Sequence, residues 1–314
     1  MLVVPLLERY REALPIDAST HIVTLGEGST PLIHAERLSE RLGVELWLKW
    51  EGANPTGSFK DRGMAVAVTK AREEGARGIV CASTGNTAAS CAAYAARAGL
   101  EAVIVHPRGA VASSKLVQVH AVGARLEEVD GSFTDAFEHA LALAEREGYT
   151  HVNSTNPYRI EGQKTAAFEI VEQLGGLPDV LVLPYGGGGN TKAYARGFLE
   201  AAGELPRLHP AQAERRHDTV ASAIRIVEPV HRQEVEEAVA RSNGAVVTVG
   251  EEELARAWRA LAHEEGVFCE PASAAGVAAV GQGAAQPGER VVCVVTGHGL
   301  KDPEAVERLA ELGA

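Results

Sequence analysis

The stretch VLVLPYGGGGN, residues 180–190, joins a short apolar run to four consecutive glycines. The run Val180–Leu183 is typical of a strand that is covered on both faces. Glycines have no Cβ atom, so successive backbone amides can turn towards one anion, and the positive end of a following helix adds to the attraction. We therefore predict a phosphate-binding loop. Its residues are Gly186, Gly187, Gly188, Gly189 and Asn190.

The phosphate expected in this loop is not that of a nucleotide. The loop lacks the Gly-Lys-Ser/Thr ending of a nucleotide-binding P-loop, and it lacks a GxGxxG pattern followed by an acidic residue about 20 positions later. A flexible tight turn is the alternative interpretation. It explains less, because four glycines in a regular element would cost about 0.5–1 kcal/mol each.

Four further apolar runs have the same strand-like character, and helical patterns separate them. These runs are Ile79–Ala82, Ala102–Val105, Ala245–Val249 and Val291–Val295. Helices are predicted over Asp61–Glu74 and Phe133–Glu147. In the second helix, Phe137, Leu141 and Ala144 share one face. The alternation predicts an α/β fold with twisted parallel or mixed sheets flanked by helices.

Polar clusters follow several of the predicted strands. They are Ser83–Thr87, Asn153–Asn156 and Thr296–Gly299, in addition to the glycine loop. In open parallel sheets, ligands bind beyond the carboxyl ends of the strands, because loop amides and helix N-termini converge there. Clusters at equivalent positions therefore predict a ligand site.

Lys60 lies in the segment NPTGSFKDRG, residues 54–63. Ser58 is predicted to cap a helix, so Lys60 falls in the first turn of that helix. The positive end of the helix dipole, and any burial, disfavour the charged form of the amine. A neutral lysine amine forms Schiff bases with carbonyl groups, so Lys60 is the candidate catalytic residue. A solvated surface lysine is the alternative, and the local sequence does not decide between the two.

Two of the polar clusters favour anionic ligands. The candidate substrate-binding residues are Ser83, Thr84, Thr87, Asn153, Ser154 and Arg159. The first three place hydroxyl groups at a strand-to-helix turn, which suits a carboxylate, with simple helix capping as the alternative. The last three add donors for a second anion, which an arginine can contact with two N–H groups. An ordinary polar loop is the alternative for them.

Thr296 closes the last predicted strand, where its hydroxyl can donate to or accept from a heterocyclic nitrogen. His298 follows two residues later. No serine or cysteine nucleophile in a matching context accompanies His298, so we interpret it as a turn residue. The remaining histidines lack metal-ligand spacing such as HExxH, and the sequence predicts no metal site.

Composition and charge exclude several classes of function. The chain has 314 residues, 46% of them hydrophobic, which is typical of a globular protein with one large or two modest domains. Its net charge of −12, with no basic cluster, argues against nucleic-acid or membrane partners. Four isolated cysteines in apolar contexts, no signal-peptide pattern and no run of about 20 apolar residues predict a reduced, cytoplasmic protein.

Seven motifs spread over most of the chain carry a family resemblance. They are GEGSTPL at 26–32, NPTGSFKDRG at 54–63, ASTGNTAAS at 82–90, NSTNP at 153–157, GGGGN at 186–190, EPASA at 270–274 and TGHGLKDP at 296–303. Together they resemble threonine synthase, a family of pyridoxal-phosphate enzymes with the tryptophan-synthase-β-like fold. The resemblance implies a smaller α/β domain over 55–155 and a larger cofactor-binding α/β domain over 1–54 plus 156–314.

The resemblance also implies a role for each matching residue. Lys60 would hold pyridoxal 5′-phosphate as a Schiff base and shuttle protons, and Asn86 would hydrogen-bond its phenolic oxygen. Gly186 to Asn190 would bind the phosphate of the cofactor. Thr296 would face the pyridine nitrogen, where a neutral hydroxyl would leave that nitrogen less protonated than an aspartate would. Of the candidate substrate-binding residues, the last three would bind the substrate's phosphate.

The activity implied is that of a lyase making L-threonine from O-phospho-L-homoserine: phosphate leaves Cγ and water adds at Cβ. We expect a homodimer. One region departs from the family pattern, since residues 208–217 replace a strand with a Gly-x-Gln element and a longer loop. Pro210 would remove a hydrogen-bond donor from that strand if it were central, so we expect an altered sheet or interface there.

The lysine and glycine motifs leave alternatives open, because the whole fold shares them. One is a threonine or serine dehydratase, or a cysteine-synthase-like β-replacement enzyme. Another is a catalytically silent cofactor-binding protein, against which the joint presence of Lys60, Asn86 and Thr296 argues.

Overall fold

The computed structural model describes residues 4–109 and 116–311 of the chain. The chain divides into two compact units. The first comprises Met1–Ser29 and Asn54–Thr165, and the second comprises Thr30–Ala53 and Ala166–Ala314. Each unit contains a sheet flanked by helices, so the predicted α/β class is confirmed.

The strands and helices follow each other along the chain as the sequence pattern indicates. The strands are β1 (Leu32–His34), β2 (Glu45–Trp50), β3 (Gly78–Ala82), β4 (Glu101–Pro107), β5 (Arg125–Val129), β6 (Tyr149–His151), β7 (Val180–Pro184), β8 (Arg207–Ala213), β9 (Val247–Val249) and β10 (Arg290–Val295). The helices are α1 (Leu6–Arg9), α2 (Glu36–Leu42), α3 (Lys60–Glu73), α4 (Asn86–Ala98), α5 (Val117–Ala121), α6 (Phe133–Glu147), α7 (Pro157–Leu174), α8 (Gly189–Ala202), α9 (Arg232–Arg241), α10 (Glu251–Glu264), α11 (Ala275–Gly281) and α12 (Glu304–Glu311).

The sheet of the first unit is parallel, with the strand order β5-β4-β3-β6. Strand β3 is buried along its whole length, as its continuous apolar run predicted. It pairs with β4 from Gly78↔Glu101 to Ala82↔Val105 and with β6 on its other side. The carboxyl ends of β3 and β6 therefore meet at one edge, where two of the polar clusters follow them.

Helix α6 has the predicted bounds, and of its predicted apolar face Phe137 and Ala144 pack against the core, whereas Leu141 does not. Ser132 and Asp135 form a reciprocal capping box at its start, and Gly148 ends it in the left-handed conformation. The buried side chains of the helix are those of Ala136, Ala140 and Leu143. Leu141 is 44% exposed. Small alanines carry the packing against β3 and β4, and size alone does not reveal them.

The sheet of the second unit is mixed, with the order β1-β2-β10-β7-β8-β9. Strand β1 runs antiparallel to β2, and the other neighbouring pairs are parallel. Alternate residues of β10 face opposite ways: Cys293 packs with α10 and α11, whereas Val292 and Val294 pack with α7 and α8. Cover on both faces explains the unbroken apolar runs of the sequence.

The residues up to Ser29 belong to the first unit, whereas the resemblance placed residues 1–54 with the larger domain. Polar contacts to α3 and α4 explain this. Val23 N–H donates to Thr69 Oγ1 at 2.9 Å, and the Tyr94 hydroxyl donates to Glu27 at 2.7 Å. These bonds join positions far apart in sequence, so motif spacing does not disclose them.

Pro210 is accommodated in β8 without interrupting the sheet, contrary to the alteration expected there. Arg207 N–H donates towards β7, to Asp179 O, and Leu208 N–H donates to the other side, to Ser242 Oγ at 3.1 Å. Successive backbone N–H groups of a strand point to alternate sides, so the position of the missing N–H of Pro210 faces the same side as the N–H of Leu208. Pairing with β9 begins only at Ala211, so the missing N–H falls before that ladder.

Candidate active site

Each unit carries one set of the predicted site residues. In the first unit, Ser83–Thr87 form the turn from β3 into α4, and all five residues are partly exposed. Ser83 Oγ accepts a hydrogen bond from Gly85 N–H at 3.2 Å, which tightens the turn. Helix α4 begins at Asn86, and Gly85 supplies no side-chain cap. The N-cap residue Gly85 has no side chain that could accept from the first N–H groups of α4, so simple helix capping does not explain this turn. Such a helix N-terminus suits an anionic ligand.

Lys60 is the first residue of α3, and its side chain is partly buried. Its Nζ atom lies 4.4 Å from the centroid of the Phe59 ring, a cation–π distance. This placement does not match a fully solvated surface lysine. The predicted N-cap is wrong, because Phe59 occupies that position and is already helical. Ser58 Oγ is instead buried with no hydrogen-bond partner among the residues described, which leaves a polar atom beside Lys60 for a ligand.

The Asp61 carboxyl group ties α3 to the turn that precedes it. It is fully buried and accepts hydrogen bonds from Thr56 N–H at 2.7 Å and from the Thr56 hydroxyl at 2.6 Å. Burial raises the pKa of Asp61 to about 6. Gly57 gives the turn its left-handed residue, with φ of +87°. The position of Lys60 is therefore fixed by the residues on both sides of it.

Asn153 connects the loop after β6 to the end of β3. Its Oδ1 accepts from Ala82 N–H and its Nδ2 donates to Ala82 O, both at 2.8 Å. The predicted cluster after β6 therefore lies beside Ser83, the residue that follows Ala82. Ser154, the next residue, is partly exposed.

Arg159 lies in the first turn of α7 and is 1% exposed. Its Nη1 donates to Val152 O at 2.8 Å, whereas Nε and Nη2 are buried without a hydrogen-bond partner in the described part of the chain. Burial lowers the pKa of Arg159 to about 10. Gly63 makes room for the guanidinium, since a Cβ there would lie 2.8 Å from Arg159 Nε. Buried charged donors in this state are costly unless an anion pairs with them.

In the second unit, the glycine loop runs from the end of β7 to the start of α8. Gly188 has φ of +88°, and a Cβ there would lie 2.8 Å from Val235 Cγ2. His231 N–H donates to Gly187 O at 3.0 Å, and this hydrogen bond fixes the loop to the segment before α9. The loop is therefore a fixed structure that requires glycine at position 188, and the alternative of a flexible turn does not fit.

Two buried polar atoms in the first turn of α8 have no hydrogen-bond partner among the described residues. They are Asn190 Nδ2 and Thr191 Oγ1. Together with the helix N-terminus, they provide the donors that a phosphate requires. The residues present therefore fit the phosphate of the expected cofactor. Thr191 was not predicted, although its place directly after the glycine loop is a signal that could have identified it.

Thr296 lies at the carboxyl end of β10, the parallel neighbour of β7. Its hydroxyl oxygen is 3.1 Å from Glu270 Oε1 and 3.0 Å from Ser273 Oγ. All three side chains are buried. A buried polar group of this kind fits a heterocyclic nitrogen. Neither Glu270 nor Ser273 was predicted as a site residue, although both belong to the EPASA motif.

His298 has the turn role that its context indicated. Its Nδ1 accepts from Leu300 N–H at 3.1 Å. Its ring makes edge contacts with Trp50 and Phe268, each at a centroid distance of 5.8 Å. Within 4–109 and 116–311, no group of three or more histidine, cysteine, aspartate or glutamate residues could hold a metal ion. In the same ranges, the helices are too short or too polar to cross a bilayer.

The chain is similar to a known enzyme family over most of its length. Residues 23–297 match the family of pyridoxal-phosphate dependent enzymes. Threonine synthase from Halalkalibacterium halodurans is 49% identical over an alignment that covers 95% of this chain and 90% of the relative. Threonine synthase from a Synechocystis species is 48% identical, over 95% of this chain and 84% of the relative.

The chain belongs to the threonine synthase family. The predicted pyridoxal-phosphate cofactor and lyase class are thereby confirmed. Among solved structures, the processed form of threonine deaminase isoform 2 from Solanum lycopersicum has a TM-score of 0.79 at 24% identity, covering 96% of this chain and 99% of that chain. At that identity the likeness concerns the fold alone.

Proposed function

We propose that the chain converts O-phospho-L-homoserine and water to L-threonine and phosphate. The observation that carries this proposal is the buried guanidinium of Arg159, whose Nε and Nη2 have no partner among the described residues. A doubly charged phosphate ester would satisfy both donors in the bidentate geometry that arginine favours. The family relationship adds weight, because the relatives named above are threonine synthases.

The substrate's two anionic groups have candidate binding residues in the first unit. Ser83, Thr84 and Thr87 line the start of α4, where hydroxyls and the helix N-terminus suit a carboxylate. Asn153, Ser154 and Arg159 would bind the phosphate. Each group is thus orientated by its own set of donors, which keeps Cα and Cγ of the substrate in fixed positions.

Each residue that the resemblance assigned to the cofactor has a proposed role of its own. We propose that Lys60 binds its aldehyde group, that Asn86 hydrogen-bonds its phenolic oxygen and that Thr296 contacts its pyridine nitrogen. Gly186, Gly187, Gly188, Gly189 and Asn190 would bind its phosphate. When bound, pyridoxal phosphate withdraws electrons and stabilises negative charge next to the amino group. Lys60 would then remove the proton at Cα and later return one.

A threonine or serine dehydratase is the competing function on this fold. Its substrates carry no phosphate, so they offer no second anion to Nε and Nη2 of Arg159. Burial disfavours the charged guanidinium, and a phosphate would offset that cost. This comparison favours the phosphorylated substrate.

The test offers O-phospho-L-homoserine, L-threonine and O-acetyl-L-serine separately to the cofactor-loaded protein. We expect phosphate and threonine to appear in equal amounts from the first substrate. If 2-oxobutyrate from L-threonine were the only product, the protein would be a dehydratase. If acetate from O-acetyl-L-serine were the only product released, it would be a β-replacement enzyme.

We also propose that the enzyme is a cytoplasmic homodimer. All four cysteines are buried free thiols, which agrees with a reducing compartment. The dimer rests on the family resemblance. Light scattering after size-exclusion chromatography should give twice the mass of 33.0 kDa, and a single-chain mass would contradict it.

A further inference from the structure

The glycine loop of the second unit lies against a segment that follows β8, residues 219–231. A Cβ atom at Gly186 would lie 3.3 Å from Ile226 Cδ1, and one at Gly187 would lie 3.7 Å from the same atom. The last residue of the segment, His231, donates its N–H to Gly187 O at 3.0 Å. The backbone of the glycine loop is therefore in direct contact with this segment.

The two ends of the 219–231 segment are fixed more firmly than its middle. Val220 N–H, near the start, donates to Glu251 Oε2 of α10 at 2.9 Å, and His231 is bonded to the glycine loop. In between, Val227 and Val230 are 60% and 61% exposed. Apolar burial at these two positions therefore contributes little to holding the middle of the segment.

Arg216 makes polar contacts with the middle of the segment. Its Nη1 donates to Ile226 O at 3.2 Å and to Val227 O at 3.3 Å. Its Nη2 donates to Gln212 Oε1 of β8 at 2.6 Å. The guanidinium also lies over the ring of Tyr185, with 4.8 Å between Cζ and the ring centroid, a cation–π distance. One charged group thus joins β8, the 219–231 segment and Tyr185.

Tyr185 connects these contacts to the glycine loop from the other side. It directly precedes Gly186, it is 4% exposed, and its N–H donates to Ala211 O at 2.7 Å. Arg216 belongs to residues 208–217, the region that departs from the family pattern. An arginine keeps its charge at any pH at which the protein is folded, so these contacts do not depend on a titration.

We propose that Arg216 is a positioning residue for the phosphate of the cofactor. It holds Tyr185 and the 219–231 segment against the glycine loop, and it acts on the cofactor through that loop. This inference rests on the proposed binding of the cofactor's phosphate by Gly186 to Asn190. A loop that already has its binding geometry loses less conformational freedom when the ligand binds, so its affinity is higher.

The test titrates the apoenzymes with pyridoxal 5′-phosphate and with pyridoxal, which has the same ring and aldehyde but no phosphate. Arg216→Ala removes hydrogen bonds from a charged donor, so the dissociation constant for pyridoxal 5′-phosphate should rise about tenfold. The constant for pyridoxal should not change. Arg216→Lys keeps the charge without the forked geometry and should recover part of the affinity.

Arg215→Ala is the matched control. Arg215 is the neighbouring arginine, it is exposed, and it pairs with Asp218 three residues later. Its removal should leave both dissociation constants unchanged. Circular dichroism checks that each variant is folded.

Hydrogen exchange of the wild type gives a second measurement that needs no variant. If the 219–231 segment fixes the loop for the phosphate, binding of the phosphate must stabilise the segment in return. Pyridoxal 5′-phosphate should therefore slow amide exchange in residues 219–231, and pyridoxal should not.

Two titration results would overturn the proposal. An equal loss of affinity for both compounds in Arg216→Ala would mean that the arginine serves the structure of the unit as a whole. Unchanged affinity for both would mean that the loop does not depend on it. If Arg216→Ala does not fold, the exchange measurement decides, and equal exchange with the two compounds would overturn the proposal.

The substrate assay tests the proposed function separately. A holoenzyme that forms 2-oxobutyrate instead of phosphate would remove that function, and the difference between the two titrations would still establish the role of Arg216. Phosphate release from O-phospho-L-homoserine with no such difference would keep the function and remove the role of Arg216.

Discussion

The two proposed anion sites are built in different ways. The glycine loop before α8 is local: consecutive residues, a left-handed Gly188 and two polar atoms without a hydrogen-bond partner among the described residues lie close together in the sequence. The proposed site around Arg159 has a buried charged side chain at its centre, for which Gly63 in a different helix makes room. The first site would bind an anion with backbone amides and the helix dipole, and the second with a full charge. This contrast suits a permanently held cofactor and a substrate that must come and go.

The largest expected effect comes from Lys60→Ala. This change removes the amine that we propose to bind the cofactor and to move the substrate proton. We expect loss of the covalent chromophore and of nearly all turnover, because no other group forms the Schiff base. Absorption before and after borohydride treatment measures the first effect. Lys70→Ala, near the other end of α3, is the matched control and should keep the chromophore. A coloured, active Lys60→Ala enzyme would refute the role of this lysine.

Arg159→Lys tests the site that depends on a side chain. Lysine keeps the charge but loses the paired donors, each worth about 1.5–3 kcal/mol towards a charged group. We expect kcat/KM for O-phospho-L-homoserine to fall about 100-fold or more, with cofactor loading unchanged.

Arg146→Lys is the control for this change, since Arg146 is exposed and pairs with its neighbour Glu147. Steady-state kinetics and the cofactor absorption of the two variants give the comparison. An equal loss of cofactor and activity in Arg159→Lys would mean that the arginine serves the structure of the unit and not the substrate.

Gly188→Ala tests the local site. The alanine would sit at φ of +88° with its Cβ 2.8 Å from Val235, so the loop must shift. Left-handed strain of about 1–2 kcal/mol, with this clash, should raise the cofactor dissociation constant about tenfold or more. Gly203→Ala has a similar φ of +78° at the other end of α8 with nothing within 4 Å, and it should leave cofactor affinity unchanged. Titration of the apoenzymes measures both constants, and equal affinities would contradict the account.

The last expected effect acts on stability and concerns the buried carboxyl group of Asp61. Asp61 has a pKa of about 6 in the folded protein against an ordinary value of 3.8. The folded state therefore binds the proton more tightly, and the stability this adds is present below pH 4 and lost as pH rises through 6. Relative to Asp61→Asn, the wild type should lose about 3 kcal/mol of unfolding free energy between these limits.

Urea unfolding at several pH values measures this difference. Asp135→Asn is the comparison with a pH dependence of stability of the opposite sign. Hydrogen bonds from Ser132 lower the pKa of Asp135, so the contribution of this carboxylate to stability is lost as the pH falls. Parallel pH profiles for the wild type and Asp61→Asn would show that the carboxyl group of Asp61 is not the source of the effect.

Patterns of consecutive residues predicted several elements of the fold correctly. Strands β3, β7 and β10 and the glycine loop follow from consecutive residues, and the structure confirms them as elements. Helix α6 has its predicted ends because capping residues mark them. Its buried face was predicted only in part, because the small side chains of Ala136 and Ala140 lie at its centre and Leu141 is exposed.

What the sequence could not provide was the environment of single side chains. Asn153 forms two hydrogen bonds with the backbone of Ala82. These bonds follow from the pairing of β6 with β3, and the sequence of the polar loop alone does not reveal them. The Thr296 hydroxyl contacts Glu270, which lies 26 residues away in the chain. Ser58 was expected to cap α3 and does not, because Phe59 already has helical angles.

The most direct test of the central claim is a crystal structure with a non-hydrolysable phosphonate analogue of the substrate. The account predicts that the phosphonate oxygens lie within about 3.2 Å of Nε and Nη2 of Arg159, the two donors without a partner. An analogue bound elsewhere, with both nitrogens still unpartnered, would contradict it.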